Sequence, residues 1–256
     1  MATRPRTRFA GVLAAAALAA AALVCAVGVY SAMCRRIPAG VGRPRAVARP
    51  AQGPCSPGFW DEFAGLVAVR ARRYRRAASL FRRAAAVGNA AAMADIAMLC
   101  MQGRGVCRNY RKAMEWGWRA SEAGSARGMY CIGSLYLQGK GVPRDFRMAM
   151  DWYRKAASGG NGSAMYGIAL IYGRGWGVAR DRRRAMWWIR RAAGADEVGA
   201  MYFLGLCYER GRGEPKDPVE ARLWLKKAAA AGYAPARRML KRIGAAPETQ
   251  KAPGVK

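Results

Sequence analysis

Four tryptophans, Trp116, Trp152, Trp188 and Trp224, recur every 36 residues without a slip of register, and a whole residue pattern travels with them. The same spacing relates Ala92, Gly128, Ala164 and Ala200, then Ile96, Ile132, Ile168 and Leu204. It also relates Cys100, Tyr136, Tyr172 and Tyr208, and two glycine sets, Gly103, Gly139, Gly175, Gly211 and Gly105, Gly141, Gly177, Gly213. Self-similarity at a period of about 20 to 50 residues means one supersecondary unit, stacked. A lone unit cannot bury a tryptophan, so neighbours must do it for one another.

Each unit divides into two stretches of helical apolar spacing separated by a glycine-rich loop. The first, such as Met165 to Tyr172, stops at glycines, where positive φ carries no steric cost. The second starts at Asn109, Asp145, Asp181 or Asp217, whose side-chain oxygen can accept a hydrogen bond from an orphan N–H of the first turn. Asp217-Pro218-Val219-Glu220 states this most fully, with a cap, a proline at the first helical position and an acid in the first turn. From each cap the chain runs through Ala113, Ala149, Ala185 or Ala221 to the tryptophan. It closes on Gly88, Gly124, Gly160 and Gly232, with Asp196 the exception. The unit is therefore helix, turn, helix, turn. The tryptophan ladder is expected to be core.

The pattern Ala-x-x-x-Leu-Gly-x-x-Tyr-x-x-Gly-x-Gly-Val-x-x-Asp followed by Ala-x-x-Trp-Tyr-x-x-Ala-Ala resembles the Sel1-like repeat, a relative of the tetratricopeptide repeat. It covers about residues 91 to 234. The resemblance implies an all-α fold, a right-handed α/α superhelix of four 36-residue repeats with capping helices, preceded here by an N-terminal hydrophobic helix. The repeats are placed at 91–126, 127–162, 163–198 and 199–234. A lone second-type helix over 66–90 is expected to cap the front, its first-type partner absent or degenerate near Pro57 to Phe63, and a polar first-type helix over 235–244 the back, followed by a tail over 245–256. Three positions depart from the pattern. Cys100 replaces its Tyr, Glu214 stands where Val106, Val142 and Val178 do, and Gly117 stands where Tyr153 does, beside Trp118 as the expected compensation.

Residues 9 to 33 carry no charge, enough to span a bilayer as a helix. Two readings stand: an uncleaved anchor within 1–33, or a signal peptide cut after Ser31 or Ala32. Arg4, Arg6 and Arg8 precede the run, and Arg35, Arg36, Arg43, Arg45 and Arg49 follow it. Retention of basic loops in the cytoplasm would keep the repeats there. The N-terminal position of the run, and the exported relatives that the resemblance implies, favour a periplasmic, lumenal or secreted repeat domain. Residues 34–65, rich in Pro, Gly and Arg, read as a linker.

Net charge is +30 with no histidine, and residues 34 to 90 alone hold 12 basic residues against 2 acids. Arg70, Arg72, Arg73, Arg75, Arg76, Arg82 and Arg83 are read as crowding one helix, which favours anionic partners, whether nucleic acid, acidic proteins or anionic lipid. No interleaved aromatics make that stretch a nucleic-acid platform. The lack of histidine removes His-dependent triads and His metal sites. No nucleophile motif or phosphate loop occurs, and the fourfold Gly-x-Gly loops are structural turns. No catalytic residue, cofactor or metal is expected. Cys131 and Cys207 are expected as buried thiols, whereas Cys100 and Cys107 could bridge a loop in an oxidising compartment.

By analogy with tetratricopeptide arrays, the first helices should line a concave surface. One row on it is Ala94, Tyr130, Tyr166 and Tyr202, and a second is Met98, Ser134, Leu170 and Leu206. A third is Met101, Leu137, Gly173 and Glu209. This apolar, aromatic face suits an amphipathic helix or extended segment of another protein, the partner of an adaptor or scaffold. The tyrosines can equally be repeat packing.

Overall fold

The computed structural model describes residues 58–245; the expected hydrophobic helix, most of the linker and the tail past Ala245 lie outside them, as do Cys25, Cys34 and Cys55. The described residues form eleven helices and no strand. They are α1 (Phe59–Arg70), α2 (Tyr74–Ala86), α3 (Ala90–Gln102), α4 (Tyr110–Glu122), α5 (Ala126–Gln138), α6 (Phe146–Ser158), α7 (Gly162–Arg174), α8 (Arg182–Gly194), α9 (Val198–Arg210), α10 (Pro218–Ala230) and α11 (Ala234–Ala245). Each helix packs on its chain neighbours, and α5 also meets the first helices on either side of it, α3 and α7. That is a solenoid of helix pairs.

Capping fixes where the helices begin. The side chains of Asn109, Asp145, Asp181 and Asp217 accept from backbone N–H groups of the second helices. Asn89, Ser125 and Asn161 do the same for the first helices. Asp196, the odd residue among the closing glycines, takes their left-handed conformation, φ 59° against 81° at Gly124.

Small residues set the spacing between helices. A Cβ on Gly133 would lie 2.6 Å from the Tyr153 ring, and one on Gly167 2.7 Å from the other edge of that ring. Tyr153 is thus clamped between α5 and α7. At Gly117, where the other units carry a large side chain, Ile132 closes in to 3.1 Å of the added Cβ position. Trp118 does not fill that space, contrary to expectation. It is 40% exposed and lies edge-on against Trp152 at 4.8 Å.

The front of the array differs from expectation. The segment 66–90 is not one lone helix. It begins inside α1, turns at residues 71–73 and continues as α2, so the first-type partner is present and the linker stops short of Phe59. The 36-residue period misses α1 because its turn has three residues where 103–109 has seven, which moves α1 about one helical turn out of register. Gly65 shows the true correspondence. Its Cβ would meet the Phe81 ring at 2.4 Å, as Gly133 would meet Tyr153.

The tryptophan ladder is core at one rung only. Trp152 is buried, and Trp116, Trp188 and Trp224 pack at the edges of the cores. Each ring is covered by the cation three residues on, Arg119, Lys155, Arg191 or Lys227, at 4.3 to 5.2 Å. One helical turn brings the two onto the same face, where the ring quadrupole attracts the charge.

Candidate partner-binding cleft

The expected interaction face divides when its side chains are placed. Tyr130, Tyr166 and Tyr202 are half-buried, and so are Met98, Met101, Leu137, Leu170 and Leu206. Ser134 is withdrawn from the face, being buried with its hydroxyl hydrogen-bonded to the Tyr153 hydroxyl at 3.1 Å. Tyr130 stacks on Tyr153 at 5.8 Å, and Tyr202 lies edge-on to Tyr233 at 5.2 Å. Burial raises the pKa of both Tyr130 and Tyr166. These tyrosines pack through their rings.

Three of the expected residues, Tyr166, Leu170 and Leu206, converge on one cleft of about 700 Å³ between α7, α8 and α9. Met186, Ile189 and Phe203 extend its apolar lining, and Cys207 contributes a thiol 3.9 Å from the Met186 sulfur. Burial pushes that thiol up to about 11, which keeps it protonated and unreactive. Every charged residue lining the cleft is an arginine: Arg174, Arg180, Arg182, Arg210 and Arg212. Of the nearby acids, Glu209 pairs with the rim's own Arg210 at 3.5 Å, and the others face elsewhere. Glu214 is buried and paired with Arg190, and Asp181 caps α8 and pairs with Arg184 at 3.2 Å. An apolar floor beneath a cationic rim, with no acid in the lining itself, can take an apolar side chain with carboxylates beside it. Met98, Met101, Tyr130, Leu137 and Tyr202 do not line it.

Sequence reasoning missed Phe203, Met186, Ile189 and the rim. Phe203 carried a signal, since Asp95, Cys131 and Gly167 hold its place in other units and an added aromatic stands out there. The rim carried little, because its arginines come from two loops and three helices that only folding assembles.

The basic stretch is not one helix face. Arg70 ends α1, Arg72 and Arg73 form the turn, and Arg75 and Arg76 begin α2. All five are exposed. As adjacent helical residues, Arg75 and Arg76 diverge by about 100°. Arg83 reaches back to Asp61 at 3.3 Å, whereas Arg82 turns the other way, into a second cleft of about 500 Å³ with Cys100, Cys107 and Trp116.

The four described cysteines, Cys100, Cys107, Cys131 and Cys207, are unbridged. Cys131 is fully buried, and burial pushes its thiol up to about 12. Asp95 is buried with one carboxylate oxygen unpartnered, the other pairing with Arg127. Burial raises it to about 6 against the pull of Arg127. No group of His, Cys, Asp and Glu among the described residues could hold a metal.

The family model of the Sel1 repeat matches residues 71–89, 90–125, 126–161, 162–196 and 198–233. The fivefold match takes in α2 as the second half of a front unit and sets each later boundary about one residue earlier than expected. A crystal structure of a Sel1 repeat protein from Oxalobacter formigenes is similar, with 27% identity, TM-score 0.62, and coverage of 80% of this chain and 82% of that one. The protective antigen c5321 of uropathogenic Escherichia coli, which displays an SLR fold, is 27% identical at TM-score 0.55, over 75% of this chain and 43% of its own. This chain thus spans under half the length of that relative. The immunity protein Pa5087 of Pseudomonas aeruginosa, 21% identical at TM-score 0.59 over 81% of this chain and 79% of its own, shares the fold. No curated protein matches the sequence.

Proposed function

Because the chain belongs to the Sel1 repeat family, whose members are generally protein-interaction scaffolds, we propose that it holds a partner protein at the α7–α9 cleft. The repeat is a non-enzymatic scaffold fold. The observation that carries the reading is the union of Tyr166, Leu170, Leu206 and Phe203 beneath five arginines, with no acid in the lining and only Arg210 paired, with Glu209. The partner segment buries an aliphatic or aromatic side chain there and sets carboxylates against the rim. Charge adds orientation and speed of encounter, and the desolvated apolar anchor supplies most of the affinity.

Short synthetic peptides with one central Leu or Phe, flanked by Glu or by Lys, test this on the full chain. The Glu-flanked set should bind, and Leu170→Ser with Leu206→Ser should weaken capture severalfold while the melting transition stays in place. Arg210→Glu with Arg212→Glu should invert the preference for flanking charge. Equal capture of both peptide sets, or capture indifferent to the leucines, would remove the cleft from the function. No observation favours nucleic acid as the partner.

The array is further proposed to sit at a membrane through residues 9–33, with the repeats outside the cytoplasm. The support is the uncharged run in the sequence. No helix among the described residues is long and apolar enough to cross a membrane. Resistance to carbonate extraction supports the anchor, and a mature chain beginning near residue 32 replaces it with a cleaved signal.

A further inference from the structure

Helix α1 ends the described array and carries large apolar side chains on the side away from its partner α2. Trp60 is 52% exposed, Phe63 54% and Val67 54%, all on one helical face, with Leu66 at its edge. Phe59, Trp60 and Phe63 pack on one another at 5.3 to 6.5 Å, a small aromatic platform. Gly65 and Ala68, on the opposite side, are buried.

Both acids of α1 are drawn inward. Asp61 pairs with Arg83, and Glu62 accepts from the Asn89 side-chain amide at 2.9 Å. Arg70 continues the apolar face at its C-terminal end, and Arg72 and Arg73 follow in the turn, all exposed. Arg72 has φ 57°, the left-handed conformation that glycine supplies in every other interhelical turn except the one at Asp196. A long basic side chain stands here where glycine would be unstrained, so the position keeps charge at a conformational cost.

We propose that this end of the array lies on an anionic bilayer surface, the Trp60–Phe63–Val67 face entering the headgroup region and Arg70, Arg72 and Arg73 meeting lipid phosphates. Aromatic rings settle at headgroup depth, and an apolar helical face edged by arginine is the composition of an interfacial helix. Charge complementarity selects this occupant. A second copy of the chain docked face to face would bring the two arginine clusters together. An acidic protein segment would need a groove, whereas α1 presents a single convex ridge. The surface is separate from the α7–α9 cleft, so either can fail without the other. It also does not depend on residues 9–33 spanning the bilayer.

The full chain, mixed with vesicles of brominated lipid, tests this through tryptophan emission. Vesicles containing brominated phosphatidylglycerol should quench a component that Trp60→Phe loses, Trp60 being one of eight tryptophans. Trp60→Phe keeps an aromatic ring, so attachment persists and only the reporter disappears. The quenched component should also be lost in the triple variant Arg70→Ser, Arg72→Gly, Arg73→Ser, in which the glycine relaxes the turn. Vesicles of brominated phosphatidylcholine alone should leave it unquenched.

Identical quenching of wild type and Trp60→Phe would overturn the proposal, as would equal quenching by both lipids. Shielding of Trp60 before lipid is added also overturns it: a second copy covers the face if the shielding grows with protein concentration, and the chain covers itself if it does not. A shift in Trp60 emission with polyglutamate but not with anionic vesicles would assign the face to an acidic protein instead.

Discussion

At the scale of single residues, burial decides which members of the repeat pattern hold the array together. Trp152 is 7% exposed and its three counterparts are less deeply set, so equal sequence positions carry unequal energy. Trp152→Ala should cost about 3–5 kcal/mol in denaturant unfolding, and Trp224→Ala clearly less. Equal losses would show that the cations over the rings matter more than burial. Asp95 gives the pH counterpart. Its folded pKa, about 6 against an ordinary 3.8, is raised by desolvation, with Arg127 opposing and Glu62 adding to the rise. Its contribution is therefore fully present below pH 3.8 and is lost as pH rises through about 6. At 1.36 kcal/mol per unit, that is about 3 kcal/mol at most. Unfolding at pH 4 and pH 7 should show this fall in the wild type and a smaller one in Asp95→Asn. The same fall in both would clear Asp95 of it.

At the scale of the helix and its turn, the sequence was legible wherever chemistry is local. The caps Asn109, Asp145, Asp181 and Asp217 could be read because an Asx side chain satisfies its own helix. Helix α1 could be placed only loosely, as a degenerate partner near Pro57 to Phe63, because its short turn breaks the period while keeping the packing, and the approach of Gly65 to Phe81 gives its register. The cleft was half legible. Tyr166, Leu170 and Leu206 follow from helical spacing, but Arg180 and Arg212 reach the same cleft from different loops. Ser134 shows the reverse error, a polar residue placed on a surface that Tyr153 takes into the core. The Asp196 turn offers a direct test. Its left-handed φ of 59° is one that glycine adopts without strain. Asp196→Gly should raise stability by about 0.5–1 kcal/mol, read as an upward shift in Tm. A fall would mean that the Asp196 side chain supports the turn in a way its backbone does not show.

At the scale of the whole molecule, the buried apolar residues fall into two clusters rather than one. The first runs from Ala68 on α1 to Leu135 on α5, and the second from Met150 on α6 to Met239 on α11. Helix α5 is the seam: Leu135 belongs to the first, while Met129, Tyr130 and Leu137 pack against the second. A one-dimensional array need not unfold as one unit, since its stability is a sum of local and nearest-neighbour terms. Amide exchange in native conditions should therefore sort the helices into two groups with separate opening free energies, dividing at α5. A single opening free energy from α2 to α10 would show that the seam transmits stability in full.

The seam separates the two proposed surfaces as well. The α7–α9 cleft belongs to the second block and the α1 face to the first. A ligand protects only the states that it binds, by an amount set by its concentration relative to its dissociation constant. Occupying the cleft should slow amide exchange from α6 onward and leave α2 and α3 unchanged, while an anionic bilayer should do the opposite. The chain would then register its two occupants as two independent clocks, each set by its own ligand and neither reporting on the other.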